Sequence, residues 1–501
     1  MIVDKVSKNT IFILGFILSV ILLHNKSYNE IPSKTHGWAQ SDHYALALGF
    51  LENDFDFLHP KTFSLTHQFP PKKKLKNPKG ITATDFPILH FSVALVMKVL
   101  NTTDPWVFRF IMLLLSFIAL FFLFKTIKKI KGFWFAIFIV GFIMFQPIYA
   151  YYQNGFHVSM AAYNILLIGF VYLLKYFYYS KEKYFYLGLF FLVLAGLMRF
   201  TQVIFLIALG GALFINIIKT KKFDLKIIFI GIGLLIIGSY FYYNKLLAES
   251  YGTIFLNKPM ITTDLHSFIR QILRQFKMYI RGFLPLTHLV GLGIILYTFR
   301  KYKTKINSII KYWFLFSLLG VIIFNLLMSW SCSVHDYYSL DTWLPLITLG
   351  LMLIVVSTNF KPQTITSKLL IILFLTGTVS VAMEIQHTIY KYKFTTSDQL
   401  AIDFKNSLRF LNNYNFNNKK TMVITPPGWN TPMISWHHDV YRIANKFNEQ
   451  IPKIYNNDFD YIITQDRTFN EIVIKNSPDF KSKVKKIASN GLVTIWKPLK
   501  P

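Results

Sequence analysis

Cysteine is almost missing: Cys332 is the one thiol in 501 residues. That excludes an intramolecular disulfide and any cysteine-rich metal cluster. Acidic residues are also scarce, 24 Asp and Glu against 54 Lys and Arg, for a net charge of +30. No glycine-rich loop has nucleotide-binding spacing. No two histidines have the spacing of a helical metal site, and the adjacent His437 and His438 are a weak substitute. No ligand set of the usual kind is visible, so no cofactor is assigned and a divalent metal ion stays open. Internal repeats and low-complexity tracts are absent.

What is abundant is apolar. The chain is 53% hydrophobic and 17% aromatic, with a mean hydropathy of +0.40. A soluble enzyme is less apolar, and these values fit a polytopic membrane protein. Much of the Lys and Arg lies in short runs between apolar segments. That is the signature of membrane topology and not of a nucleic-acid partner. Surplus base also suits anionic lipid head groups. The first apolar run ends in His24-Asn25-Lys26-Ser27-Tyr28, with no small-residue cleavage site, and reads as an uncleaved span.

Apolar runs at 11–24, 105–124, 133–150, 158–178, 184–198, 201–218, 227–243, 282–299, 312–330, 341–357 and 369–383 read as spans. That makes about eleven, each near the length that crosses the hydrocarbon core. The stretch 87–100 is shorter and reads as a helix in or near the interface. With the N-terminus inside, the inner loops are 125–131, 181–183, 219–226, 300–311 and 361–368, and every one is basic. Counting 87–100 as a span would put the 125–131 cluster outside. The first loop, 151–157, 244–281, 331–338 and everything after Met383 then share the outer face. From Glu384 the apolar runs shorten. An amphipathic helix is expected over 396–412, with short strands at 421–425, 461–464 and 492–496. The expected division is a membrane module, 1–383, with a first loop at 25–104, and a small α/β domain, 384–501.

Polar chemistry gathers on that outer face. The first loop carries Trp38, Gln40, Asp42, His43 and Tyr44, then a lysine-rich run, Lys72 to Lys79, and Asp85 before Pro87. An ionisable residue held against a bilayer is costly and marks function. A carboxylate there can take a proton from a hydroxyl. Asp42 also suits the N-cap of a helix from His43 to Leu51, and the two roles are compatible. Arg199 stands nearly alone between two spans and needs an anionic partner, either a phosphate or a carboxylate. Arg270, Arg274, Lys277 and Arg281 fall on one helical stripe. Such a stripe suits either a phosphate or snorkelling at an interface. His335, Asp336, Tyr337 and Tyr338 suit sugar hydroxyls or an interfacial aromatic belt.

These motifs, in this order, resemble the membrane glycosyltransferases of the GT-C superfamily. The likeness is strongest to bacterial members of the family-39 type, the protein mannosyltransferases and the aminoarabinose transferase of lipid A. It is carried by Trp38-Ala-Gln-Ser-Asp42 and the helix to Phe50, Asn53 to Pro60, and Asp85-Phe-Pro87. Arg109, Met198-Arg-Phe-Thr201, His335-Asp-Tyr-Tyr338 and Leu344-Pro345 continue it over residues 10–360. The resemblance implies a mainly α GT-C fold with a small C-terminal α/β domain. It implies inverting transfer of a sugar from a polyprenyl-phosphate donor to an unknown lipid, glycan or protein acceptor. The setting would be the periplasmic face of a bacterial inner membrane. Asp42 inherits the role of base, with Asp85 as its nearest competitor. Two departures stand out. The 151–157 loop has no acid, and Asp85-Phe86 stands where relatives place a lysine before the proline. The second makes Arg199 and the 270–281 stripe the substitutes for holding phosphate. A transporter or flippase is the rival class, and it should place charge at mid-depth in the spans. A polymerase acting on polyprenyl-linked sugars is the other alternative.

Overall fold

In the computed structural model, residues 7–73, 75, 76, 78–255, 261–304, 306–426, 428–444 and 459–499 are described. The chain is mainly helical, with a five-stranded sheet near its C-terminal end. It packs as two compact units. One contains residues 1–28, 109–242 and 258–388; the other contains 29–108, 243–257 and 389–501. The sequence places the division at 383/384. Packing instead assigns the first loop to the same unit as the C-terminal segment.

The larger unit is a helical bundle. Among the described residues, seven helices are long and apolar enough to cross a membrane: Pro105–Lys131, Val158–Tyr179, Phe200–Thr220, Lys226–Tyr251, Ser308–Leu327, Tyr338–Val356 and Ile365–Tyr392. The other expected spans are shorter helices, such as Lys8–His24, Glu182–Met198 and Leu286–Tyr302. The run expected as one span at 133–150 breaks in two. Phe133–Met144 ends before Pro147, and Pro147–Tyr152 restarts with Gln146 as its cap. Proline lacks the donor that the preceding turn needs, so it starts helices more readily than it continues them.

Within this unit the basic connections touch one another. Lys128 reaches Asn9, Lys131 donates to the Thr358 carbonyl, and Lys226 pairs with Glu182 at 2.9 Å. Thr304 N donates to Ser357 O at 2.7 Å. Segments grouped by their charge are thus neighbours in space. The Lys125–Lys131 stretch, expected as a loop, is the last part of the helix Pro105–Lys131.

The smaller unit joins the first loop to the C-terminal segment. Helix Gly37–Glu52 begins at Gly37, not at His43, so Asp42 lies inside it and is no N-cap; His36 caps it in the left-handed conformation. Helix Ile88–Leu100 has the bounds expected for the interfacial stretch. Thr395 and Asp398 form a capping box that starts helix Thr396–Asn406. Asp398 also accepts from the backbone N of Lys34 at 2.6 Å, tying that helix to the first loop.

The strands are β1 (Thr421–Thr425), β2 (Tyr441–Ala444), β3 (Tyr461–Gln465), β4 (Val484–Ser489) and β5 (Val493–Pro498). Their order is β2-β1-β3-β5-β4, parallel from β2 to β3 and antiparallel beyond. Two strands escape the sequence pattern. β4 is an edge strand whose exposed Lys485 and Lys486 hide its alternation. β2 is only four residues long, and its outer side is lined by the first loop. Val440 N donates to Phe63 O at 2.9 Å, and Leu65 N donates to Val440 O at 2.8 Å.

Helices Val158–Tyr179 and Glu182–Met198 pack closely, with Gly169 facing Gly188. A Cβ at Gly169 would lie 2.6 Å from Leu192 Cδ1 and 3.1 Å from Gly188 O. Gly169→Val should therefore push the helices apart and cost about 1–3 kcal/mol. Gly231→Ala, which meets nothing within 4 Å, should leave the protein unharmed. Thermal denaturation in detergent checks both: the Gly169 variant should melt lower and the Gly231 variant should not.

Candidate active site

The sequence-predicted residues divide between the two units. In the smaller unit Asp42 is 2% exposed. Its helix is buried on nearly every side, because Ala39, Ala45, Ala47 and Gly49 let neighbours approach. Asn430 meets the carboxylate twice: its backbone N and its Nδ2 donate to Asp42 Oδ1 at 3.1 and 2.9 Å. Among the described residues, Oδ2 receives no hydrogen bond. Arg442, on β2 and 1% exposed, supplies the nearest opposing charge. Its Nη1 donates to Thr425 Oγ1 at 2.6 Å, and its Nη2 donates to Gly428 O at 2.6 Å.

These contacts set the chemistry of Asp42. Burial pushes its carboxyl up to about 7, while the Asn430 hydrogen bonds and the charge of Arg442 pull it back. Burial also lowers Arg442, to about 9, so it stays charged at neutral pH. A carboxylate that titrates near neutrality is suited to general-base work.

The other first-loop residues are held in place by the fold. Gln40 donates to Thr35 O at 2.8 Å, and Tyr44 donates to the Thr103 carbonyl. His43 Nδ1 lies 3.1 Å from His90 Nε2, with the rings stacked, and Phe255 lies across His43. Burial lowers His90 to about 3, so that partner is neutral. Trp38 is half-buried beside Gly428, whose added Cβ would sit 3.5 Å from Trp38 Cβ. Asp85 is half-buried at the bend before Ile88–Leu100.

In the larger unit Arg199 has found a carboxylate. Its Nε donates to Asp341 Oδ2 at 2.9 Å, and Ser159 Oγ donates to the same oxygen at 3.2 Å. The guanidinium lies over Tyr338 and Tyr337, at 5.3 and 6.0 Å from the ring centres. Tyr337 packs against His157 at 4.0 Å and stacks on His335 at 5.2 Å. Asp336 accepts from Tyr152 Oη at 2.7 Å. The 335–338 motif and Arg199 therefore share one aromatic cluster.

Arg109 is also in this unit. It is buried, donates to the Asn154 carbonyl and lies over Phe156. The helix Leu265–Met278 turns Gln275 inward, where Nε2 donates to Ser329 O at 2.9 Å. Arg270, Arg274 and Lys277 are exposed, next to an exposed apolar stripe of Leu265, Ile269, Leu273 and Phe276. Arg270 Nη2 lies 2.8 Å from His266 Nε2. The Arg281 side chain lies outside the described residues. No three His, Cys, Asp or Glu side chains come together as a ligand set among the described residues.

Sequence reading passed over Asp341, Asn430 and Arg442. The isolated Arg199 gave a signal for the first, since it demanded an anion. Nothing local to Asn430 or Arg442 pointed to Asp42.

Arg199 and Asp341 can be tested as a pair. Removing one partner of a buried ion pair typically costs about 3–5 kcal/mol, because the other charge is left uncompensated. Arg199→Gln and Asp341→Asn should each lower the denaturation midpoint. The double variant should be less damaged than the two effects summed, and simple additivity would show the contact to be energetically idle.

No protein-family model matches the sequence, and no curated protein does so. Solved structures do match. ArnT from Cupriavidus metallidurans, in the apo state, aligns with a TM-score of 0.61 at 9% identity, covering 99% of each chain. The same enzyme bound to undecaprenyl phosphate aligns at 0.61, with 10% identity over 97% of this chain and 98% of that one. The Archaeoglobus fulgidus oligosaccharyltransferase, in a complex with Zn and sulfate, aligns at 0.56 with 12% identity, over 98% of this chain and 73% of that one. Arabinofuranosyltransferase AftD from Mycobacteria aligns at 0.53 with 11% identity, over 98% of this chain and 40% of that one. The chain, a bundle of apolar helices and a small C-terminal sheet matched to these enzymes over nearly its whole length, has the fold of the GT-C membrane glycosyltransferases.

Proposed function

We propose that the chain is an inverting glycosyltransferase that takes a sugar from a polyprenyl-phosphate donor, with Asp42 as the general base. The observation that carries this reading is a buried carboxylate, tuned toward neutrality, in the first-loop helix of a GT-C fold. Undecaprenyl phosphate bound to the similar ArnT supports the donor class.

The steps follow from charge. The donor is anchored by its lipid, so its phosphate arrives at the interface. As the bond to the sugar breaks, negative charge grows on the leaving phosphate, and cations there stabilise it. Arg199 and the exposed Arg270, Arg274 and Lys277 are assigned that role. Asp42 takes the proton of the acceptor hydroxyl as its oxygen attacks the far side of the sugar carbon. His335, Tyr337 and Tyr338 offer ring faces and polar edges suited to sugar.

The decisive experiment is transfer from a polyprenyl-phosphate sugar by purified protein. Asp42→Asn keeps the shape and removes basicity, and the loss should be roughly 10²–10⁴-fold. A base works only when deprotonated, so wild-type turnover should rise with pH through about 7 and fall away in acid. Near-normal turnover by Asp42→Asn, with Asp85→Asn dead, would transfer the role to Asp85.

We also place the first loop and the C-terminal segment on the outer, periplasmic side of a bacterial inner membrane. The clustering of the basic loops in one set of contacts supports that sidedness. Lys79 and Ser482 are exposed. In a Cys332→Ser background, cysteines at both positions should react with an impermeant reagent from outside intact spheroplasts. Protection of either one would overturn the assignment.

A further inference from the structure

Asp42 is not held by its own neighbourhood in sequence. The hydrogen bonds to its carboxylate come from Asn430, 388 positions away. Asn430 is itself completely buried. Its carboxamide is used at both ends: Nδ2 donates to Asp42 Oδ1, while its own Oδ1 accepts from Ser64 N at 3.2 Å. That second bond fixes which end of the amide faces Asp42, so Asn430 presents a donor and not an acceptor.

The turn that carries Asn430 is built for one shape. Gly428 has φ +115, and a Cβ there would come 2.2 Å from Thr431 Oγ1. Only glycine suits that backbone and that space. Arg442 holds the same turn from the sheet side through the Thr425 hydroxyl and the Gly428 carbonyl, and its own backbone N donates to Thr66 Oγ1 at 3.0 Å. Strand, turn and first loop thus lock together around one carboxylate oxygen.

We propose that Asn430 is a positioning residue for Asp42: the turn after β1 pins Oδ1 by two hydrogen bonds and leaves Oδ2 as the oxygen that meets the acceptor hydroxyl. This gives the C-terminal segment a part in the reaction, and it rests on the reading of Asp42 as base. A carboxylate has lone pairs on both oxygens, and an unpinned one can rotate either toward the acceptor. Pinning one selects the geometry before substrate arrives. The pins also favour the charged form, which is the form a base needs.

Other groups near Asp42 are accounted for. The elements packed on helix Gly37–Glu52 bring His90 from Ile88–Leu100, Asp398 from Thr396–Asn406 and His437 just past Met433–Trp436. His43 and Glu52 lie on the helix itself. None of these acts on Asp42 by its charge; Arg442, from β2, does.

The test is a direct titration of Asp42 in the full-length protein in lipid nanodiscs, with no ligand added. Infrared difference spectra follow the carbonyl stretch of the protonated acid, and the band that vanishes in Asp42→Asn identifies it. In Asn430→Ala the midpoint should move to higher pH by about one unit, the size expected for a lost charge-assisted hydrogen bond. Asn430→Asp keeps the side-chain shape but sets a second acid against the first, so its alkaline shift should be larger. Turnover at pH 7 should fall about fivefold in Asn430→Ala and recover in alkali as Asp42 deprotonates. A folded Asn430 variant whose midpoint stays at the wild-type value would overturn the proposal. That result is separable from a failure of the base reading, which would show as turnover retained by Asp42→Asn.

Discussion

Enclosing a carboxylate in protein is unfavourable unless donors meet it, and an unmatched one costs several kcal/mol or stays protonated. Asp42 is enclosed, and its donors come from the far end of the chain. That single requirement explains much of the smaller unit. The first loop has to lie against β2, the turn after β1 has to close over helix Gly37–Glu52, and a buried arginine has to support the turn. Asp398 adds a second tie between the same two stretches through Lys34. The unit coheres around polar contacts between distant segments as much as around its apolar core of Met422, Ile424, Ile462, Phe480 and Trp496.

The larger unit meets the same physics differently. Two of its carboxylates near the ends of helices are paired within it. Arg199 answers Asp341, and Tyr152 answers Asp336. An arginine next to a low-dielectric bundle needs such a partner. A flat guanidinium over two tyrosine rings also gains from their π faces. The same residues therefore join charge pairing and ring packing in one buried cluster.

Local pattern made part of this legible. Apolar runs located the helices, because a stretch such as Val158–Tyr179 carries its own signal in composition. The residues from His43 to Leu51 marked the first-loop helix, and short strand patterns marked β1, β3 and β5. The failures share a cause. The start of helix Gly37–Glu52 was hidden because His36 caps it with a left-handed backbone and no side-chain signal. β4 was hidden by lysines that an edge strand tolerates. Asn430 looked like one more polar residue in a proline-rich turn, since nothing within a few positions of it reports a partner at Asp42. Asp341 sits at the mouth of an apolar run and reads as a boundary until Arg199 is seen beside it. Contacts across hundreds of residues leave no periodic trace.

The order of synthesis gives the interleaving of the smaller unit a further meaning. Its first piece is 29–108, and its last begins at residue 389. During translation the first loop emerges early and remains without its donors while more than half of the chain is made. Until β1 and the Asn430 turn arrive, Asp42 belongs to an unfinished shell open to water. In water its carboxyl would revert toward the ordinary acidic range, charged but unaimed. On the reading of Asp42 as base, nascent or C-terminally clipped chains would thus lack an aimed carboxylate even after their helices had formed. Competence would come last, with the closing of the sheet.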